Sequence, residues 1–193
     1  AIAVVLVILF HLHPDLLPGG YLGVDIFFVI SGFVISQSLF KDYLKNGKIS
    51  LSRFYLRRFQ RLYPALLTMV GVTYVAYIFF GFLWDTNFFT KSAVSSIFAF
   101  SNLYYLYHGD NYFHQDLINP LLHTWSLGIE EQFYFLYPLL LAILLYSFKK
   151  NKINHFYIAG LLLLLSLGSY LVFTGNSENV LSDFYSPIAR FWE

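Results

Sequence analysis

Apolar positions along this chain fall in long runs rather than in the short periodic stripes of a soluble fold. Residues 1–13 are apolar up to His11, shorter than the ~20 residues a membrane span needs, and predict a helix truncated at its start. Residues 21–40 predict a second span, 62–84 a third, 123–148 a fourth and 155–174 a fifth. Pro64 falls near the start of its run, where a helix tolerates proline. Residues 87–107 are equally apolar and aromatic but are broken by Lys91, Ser92, Ser95, Ser96, Ser101 and Asn102.

The connections between these runs differ in charge. Segment 41–61 carries Lys41, Lys45, Lys48, Arg53, Arg57, Arg58 and Arg61, and segment 149–152 carries Lys149, Lys150 and Lys152. Segments 14–20, 108–122 and 175–189 carry no Lys or Arg. Short basic loops stay in the cytoplasm, so the first pair is expected inside and the other three outside. A full crossing by 87–107 would invert both 108–122 and 149–152. That segment is therefore expected to lie in the interface or to re-enter, which its serines and asparagine suit. The expected fold class is all-α: a polytopic transmembrane helix bundle of about five spans plus one interfacial or re-entrant segment.

Composition sharpens this picture. Hydrophobic residues make up 58% of the 193 and charged residues 12%, with a mean hydropathy of +0.59. Soluble domains carry roughly 25% charged residues, so an ordinary soluble domain, a disordered chain and a nucleic-acid-binding module are all excluded. The absence of cysteine excludes disulfides, zinc–thiolate sites and a cysteine nucleophile. The net charge of +1 gives no global field to steer a charged partner. Ala1 lies inside an apolar run and Arg190-Phe191-Trp192-Glu193 reads as the start of a further segment, so the chain is expected to be an internal stretch, truncated at both ends. No small-residue cleavage site follows Phe10, which argues against a signal peptide.

An ionisable group within a span costs about 2.5–3.5 kcal/mol on insertion scales, so each one here calls for a reason. His11, at the outer part of the first span, fits a general base that takes a hydroxyl proton and returns it; a helix-end histidine bonded to a neighbour fits its position equally well. His13 faces away from it, and the weak pattern of His11, His13 and Asp15 does not make a metal site, so no metal is expected. Asp25 shares a stripe with Val29, Gly32 and Ser36 and suits either the orientation of a His11 base or an interhelical hydrogen bond. Arg53, Arg57 and Arg61 share one helical face with Arg58 beside them, a pattern for phosphate that topology signals and anionic lipid contacts also produce. The densest polar stretch runs from His123 through Trp125 and Ser126 to Glu130 and Glu131. The two carboxylates project about 100° apart on a helix, and Ser126 shares a face with Glu130. They suit an acceptor site with Trp125 as a stacking surface, or else helix-terminus electrostatics and arginine pairing. His108, Asp110, His114 and Asp116 are expected to be solvated external residues.

Four blocks, AIAVVLVILFH at 1–11, GGYLGVDIFFVISGFVI at 19–35, FYLRRFQRLYPALL at 54–67 and HTWSLGIEEQFYFLYPLLL at 123–141, resemble in order the acyltransferase-3 family of membrane O-acyltransferases; FYSPIARFWE at 184–193 resembles a further segment of it. The resemblance covers essentially the whole chain. It implies a bundle of about ten helices, of which residues 1–193 form the N-terminal part of a single transmembrane acyltransferase domain. It implies transfer of an acyl group, usually acetyl, from cytoplasmic acyl-CoA, with no bound cofactor, to a hydroxyl of a cell-envelope glycan or lipid-linked saccharide. The family's first-helix histidine falls on His11 and its Arg-x-x-Arg pair on Arg58 and Arg61. Its Gly-x-Asp-x-Phe-Phe element falls on Gly23, Asp25, Phe27 and Phe28. Its Trp-Ser-Leu and Glu-Glu-Gln-Phe elements fall on Trp125–Leu127 and Glu130–Phe133. The expected catalytic residues are His11, Asp25, Glu130 and Glu131; Arg57, Arg58 and Arg61 are expected to bind the donor, and His123, Trp125 and Ser126 to lie on the acceptor side. Its partners are then the bilayer, acyl-CoA and the saccharide, with no nucleic acid, and its place a bacterial inner membrane. A second reading is a transporter or proton relay built on His11, Asp25 and Glu130.

Overall fold

The computed structural model describes residues 2–13, 15–80, 86–108, 119–151, 155–175, 185–188 and 190. They form α1 (Ile2–Leu12), a 3-10 turn (Gly20–Leu22) running into α2 (Gly23–Asn46), α3 (Leu51–Phe79), α4 (Thr86–Ile97), α5 (Ser101–His108), α6 (Thr124–Asn151) and α7 (His155–Gly175). No strand occurs among the described residues. Helices spanning Gly20–Asn46, Leu51–Phe79 and Thr124–Ser147 are long and apolar enough to cross a membrane, while Ile2–Leu12 and Ala159–Val172 are shorter apolar stretches.

Helix α6 is the axis of the bundle. It runs parallel to α2: Phe28 meets Trp125 edge-on at 6.4 Å, Ser31 bonds Glu130, and Ser36 bonds Tyr137. It runs antiparallel to α3, where the Tyr55 hydroxyl donates to the Phe135 carbonyl at 2.8 Å and Tyr63, two turns on, comes within reach of Glu131. The end of α2, the start of α3 and the end of α6 therefore lie together, at the end where the basic segments gather, as their charge predicts. Ile35, Leu39, Phe54, Tyr134, Tyr137, Leu141 and Leu145 fill the core there. A second cluster joins α2, α5 and α6 through Phe28, Tyr105, Trp125 and Ile129, with Tyr185. Most other large apolar side chains, such as Phe33, Val72 and Leu163, are exposed, as a bilayer-facing surface requires.

The segment 87–107 is a helical hairpin. Helix α4 runs back along α3, pairing Phe89 with Tyr77 (3.9 Å) and Tyr74 (5.7 Å), while α5 returns so that Tyr104 and His108 pack on Phe88. Entry and exit thus lie at the same end, in keeping with the re-entrant path that charge parity requires. The reversal is a Schellman turn. Phe100 N–H donates to the Ser95 carbonyl (2.8 Å), Ala99 N–H donates to Ser96 (3.3 Å), and Ala99 takes φ 60°. An alanine in this left-handed region costs about 1–2 kcal/mol. The position is held by Gln132, whose Nε2 donates to the Ala99 carbonyl at 2.7 Å.

Close approach is bought by glycine. A Cβ on Gly23 would lie 2.4 Å from the Ala3 carbonyl oxygen and one on Gly20 2.6 Å from that of Leu6, so both glycines seat α1 on the entry to α2. A Cβ on Gly128 would lie 2.9 Å from Asn102 Oδ1 and 3.0 Å from Ser101 Oγ, so Gly128 seats the hairpin on α6. Between helices in lipid, where apolar surface is covered either way, such packing and the hydrogen bonds it permits supply the specificity.

Three expectations are corrected. The basic segment 41–61, read as a connection with its arginines on one helical face, is continuous with the flanking spans: α2 continues to Asn46 and α3 begins at Leu51. The short turn between them is tied by Asp42, whose carboxylate accepts from Ser50 N–H (2.8 Å) and Asn46 Nδ2 (2.6 Å). The arginines and the third span are thus one helix, and Pro64 stands inside it rather than near its start. A helical run of good formers carries through, and Thr68 Oγ1 donates to the Pro64 carbonyl at 2.8 Å. The face of α2 that meets α6 includes Phe28, Ser31, Ile35, Ser36 and Leu39; of the stripe that Asp25 was read on, Val29 is 49% exposed. His108 closes α5 instead of opening a loop, with Nδ1 on the Tyr104 carbonyl (2.9 Å). Asp110, His114 and Asp116 lie outside the described residues.

Replacing Gly128 by Val is expected to lower stability by about 1–3 kcal/mol through overpacking against Asn102 and Ser101, read as the unfolding midpoint of the protein in detergent. At Ala99 the left-handed backbone sets the order: Ala99→Gly is expected to match or exceed the wild-type midpoint and Ala99→Val to fall below it.

Candidate functional site

Four elements enclose a cavity of about 590 Å³: α2, α3, the tip of the α4–α5 hairpin and α6, with Pro187 and Arg190 closing one side. Its walls are largely apolar, with Phe28, Phe98, Phe100 and Leu103 among them. The polar groups on it are Ser31, Tyr63, Glu130, Glu131, Gln132 and Arg190. A mostly apolar recess with a few converging polar groups is the usual form of a small-molecule site.

Glu130 is buried, at 6% exposure, and accepts a hydrogen bond from Ser31 Oγ on Oε1 at 2.7 Å. Glu131, beside it, is half-buried. Arg58 and Arg61 of α3 act electrostatically on Glu130, and Arg58 also acts on Glu131. The arginines do not share one role. Arg58 is half-buried with its guanidinium 4.6 Å from the Tyr134 ring centre and 5.7 Å from that of Phe54. Arg53, Arg57 and Arg61 are exposed. Topology alone sets the arginines and the carboxylates toward opposite faces of the bilayer. The antiparallel register of α3 and α6 brings them to one level instead.

His11, the last-turn residue of α1, has Nδ1 2.8 Å from the Val7 carbonyl. A carbonyl can only accept, so Nδ1 carries the hydrogen and Nε2 carries the lone pair of the neutral ring. His11 lies near His123, just before α6. Desolvation by its surroundings pushes the His123 pKa below the ordinary histidine value; a hydrogen bond with the Pro120 backbone opposes this and the proximity of His11 reinforces it. Seven residues separate His123 from Glu130, a rise of roughly 10 Å along α6.

Asp25, read as a partner for His11, pairs with Arg190: Arg190 Nη1 donates to Asp25 Oδ1. The Arg190 guanidinium also lies 6.0 Å from the Trp125 ring centre. Trp125 is 1% exposed, with Phe28 and Tyr185 set edge-on against it, so its indole packs helices together instead of offering a face to an acceptor. Ser126 Oγ donates to the His123 carbonyl at 3.2 Å. Sequence reasoning missed four polar residues at or beside the cavity. Ser31 and Arg190 lay within quoted blocks without being singled out. Asn102, fully buried, and Gln132 form a reciprocal pair: Gln132 Nε2 donates to Asn102 Oδ1 at 2.9 Å and Asn102 Nδ2 donates back to Gln132 Oε1 at 3.4 Å, as well as to the Tyr185 carbonyl at 3.1 Å. The signal for that pair was an amide in each of two apolar segments. Among the described residues, no three His, Cys, Asp or Glu side chains converge as a metal site.

The family described as acyltransferase domain matches residues 1–188. The O-acetyltransferase OatA of Staphylococcus aureus (strain NCTC 8325 / PS 47) is 40% identical over 187 residues, which cover 93% of this chain and 30% of that protein. A putative O-acetyltransferase of Staphylococcus aureus strain COL is 42% identical over 153 residues, covering 78% of this chain and 25% of that protein. The chain thus spans about 30% of the length of the first of these relatives and less of the second. No solved structure matches. With the family's blocks distributed over α1, α2, α3, α6 and the Arg190 segment, and the family match running almost from end to end, this chain belongs to the acyltransferase-domain family.

Proposed function

We propose that this chain is the N-terminal part of a membrane-embedded O-acetyltransferase that moves an acetyl group from acyl-CoA on the cytoplasmic side to a hydroxyl of a cell-envelope glycan or lipid-linked saccharide, in a bacterial inner membrane. The observation that carries the reading is the pair Glu130 and Glu131 on the wall of one largely apolar cavity, within electrostatic reach of Arg58 on α3. The relatives' names support the reaction class.

In this reading the donor's phosphates rest on Arg57, Arg58 and Arg61, where guanidinium forks match phosphate oxygens. The thioester arm runs from them toward the cavity. Glu130 and Glu131 accept hydrogen bonds from acceptor hydroxyls. His11 Nε2 takes the proton of the reacting hydroxyl as its oxygen attacks the thioester carbonyl carbon. The carbon–sulfur bond then breaks, and the proton passes from the imidazolium to the departing sulfur. His123 lies beside this proton path, and Asp25, engaged by Arg190, holds the entry of α2 against the Arg190 segment.

The intact protein in membranes, given acetyl-CoA labelled on the acetyl group, tests this directly. His11→Ala is expected to cut label transfer by about a hundredfold or more. Unchanged turnover in that variant would remove the proposed base. The pair Arg58→Ala/Arg61→Ala is expected to raise the KM for acetyl-CoA about tenfold or more, the loss of charge-assisted hydrogen bonds to phosphate. CoA-independent movement of solute or protons, with no ester formed across a panel of glycans, would favour the transport reading.

A further inference from the structure

Glu130 is reached by an ordered chain of hydroxyls that begins at the arginine face. Arg58 lies 4.6 Å over the ring of Tyr134, a buried residue one turn along α6 from Glu130. The Tyr134 hydroxyl donates to Ser31 Oγ at 3.3 Å, and Ser31 Oγ donates to Glu130 Oε1 at 2.7 Å. A serine hydroxyl has one proton. Because Ser31 spends it on Glu130, it can receive from Tyr134 only through a lone pair, so the chain has a single direction. Ser31 and Glu130 both line the cavity. Among the described residues the structure shows one hydrogen bond to Glu130, on Oε1, and the residue lines the cavity.

The groups around this carboxylate come from three helices. Glu131 stands beside it on α6, Arg58 and Arg61 face it from α3, and Ser31 comes from α2. A buried carboxylate between a like charge and two cations has no strong preference for one rotamer unless a directional bond supplies it. Ser31 is the group that does so here. Tyr134 fixes the Ser31 hydroxyl in turn, and Arg58 holds the Tyr134 ring in place and draws on its electrons.

We infer that Ser31 and Tyr134 are positioning residues that orient the Glu130 carboxylate toward the acceptor hydroxyl in the cavity and set it in register with Arg58. The inference rests on the assignment of Glu130 to acyl transfer. It gives Ser31 a role distinct from helix packing, which an alanine of similar volume would satisfy as well. It also separates the two halves of Tyr134: the ring serves Arg58, and the hydroxyl serves Glu130.

The test uses the intact protein in membrane vesicles with labelled acetyl-CoA and compares Ser31→Ala, Ser31→Thr, Tyr134→Phe and Glu130→Gln. Ser31→Ala and Tyr134→Phe are expected to lower kcat about tenfold, the loss of a bond in a chain to a charged group, while the KM for acetyl-CoA stays within about twofold. Ser31→Thr, which keeps the hydroxyl, is expected to recover most of that loss. In the Glu130→Gln background Ser31→Ala is expected to add less than about a twofold further loss, because residues that act through one another are not additive. Wild-type kcat in Ser31→Ala, equal impairment of Ser31→Thr and Ser31→Ala, or an undiminished Ser31→Ala loss in the Glu130→Gln background would overturn the inference. If Ser31→Ala fails to assemble, Tyr134→Phe decides, since it keeps the ring and its cation; if Glu130→Gln abolishes transfer, the threonine rescue decides. Absence of any transfer by the wild type is a different result: it removes the acyl-transfer reading and this inference with it.

Discussion

Inside a bilayer a polar side chain has no water to fall back on, and five polar side chains within four turns of α6 bond to other elements. The rest of the described structure is arranged around satisfying them. Thr124 Oγ1 bonds Ser96 and the Leu121 carbonyl, Glu130 bonds Ser31, Gln132 bonds Ala99 and Asn102, Tyr134 bonds Ser31, and Tyr137 bonds Ser36. Interhelical hydrogen bonds in membranes contribute about 0.6 kcal/mol each on average, so no one of them holds the bundle. Their value lies in direction. The Ser31 and Ser36 bonds give α2 one register on α6, and the Thr124 and Gln132 bonds give the hairpin another. Sliding α2 by a single residue would cost both serine bonds and leave the Glu130 carboxylate without its donor.

The same constraint accounts for the departures from regular helix. The hairpin turns back where an ordinary span would continue, and turning within the bundle exposes backbone groups that must find partners. The Ala99 carbonyl finds Gln132, and Ser101 Oγ reaches the Thr124 carbonyl at 2.7 Å. Ala99 accepts a left-handed backbone in return. The reversal also sets Phe98 and Phe100 at the mouth of the cavity, so the residues that make the turn possible and those that wall the candidate site are the same few.

How much of this the sequence disclosed depended on the kind of signal. Run lengths and basic clusters carried the helical class, the common end of 41–61 and 149–152, and the re-entrant path of 87–107, because each follows from the cost of moving charge or backbone across lipid. The resemblance carried the family. The sequence was a poor guide to which neighbour each polar side chain chooses. Asp25 was read toward either His11, fourteen residues away in sequence, or an interhelical bond, and its arginine partner 165 residues on carried no signal. Trp125 was read as open and is buried. Ser31 passed unremarked, since a lone serine in an apolar helix carries no pattern; its meaning comes from the helix opposite. Arginine pairing was one of the readings offered for Glu130 and Glu131, but the sequence could not say which arginine, for a related reason. Charge rules place segment ends on one side or the other, but the depth at which two antiparallel helices align is a matter of packing.

The Asp25–Arg190 pair has a bearing on how the protein is made. Its two partners are 165 residues apart, and ribosomes extend a chain at about 5–20 residues per second, so Asp25 is synthesised roughly 8 to 33 s before the guanidinium that receives it exists. During that interval α2 must enter the membrane with its carboxylate in the first turn and without Arg190. The order of synthesis thus makes the Asp25–Arg190 contact a late addition to helices already made. The register of α2 on α6 is accordingly set by the Ser31 and Ser36 bonds, and the Arg190 segment docks onto helices that are already paired.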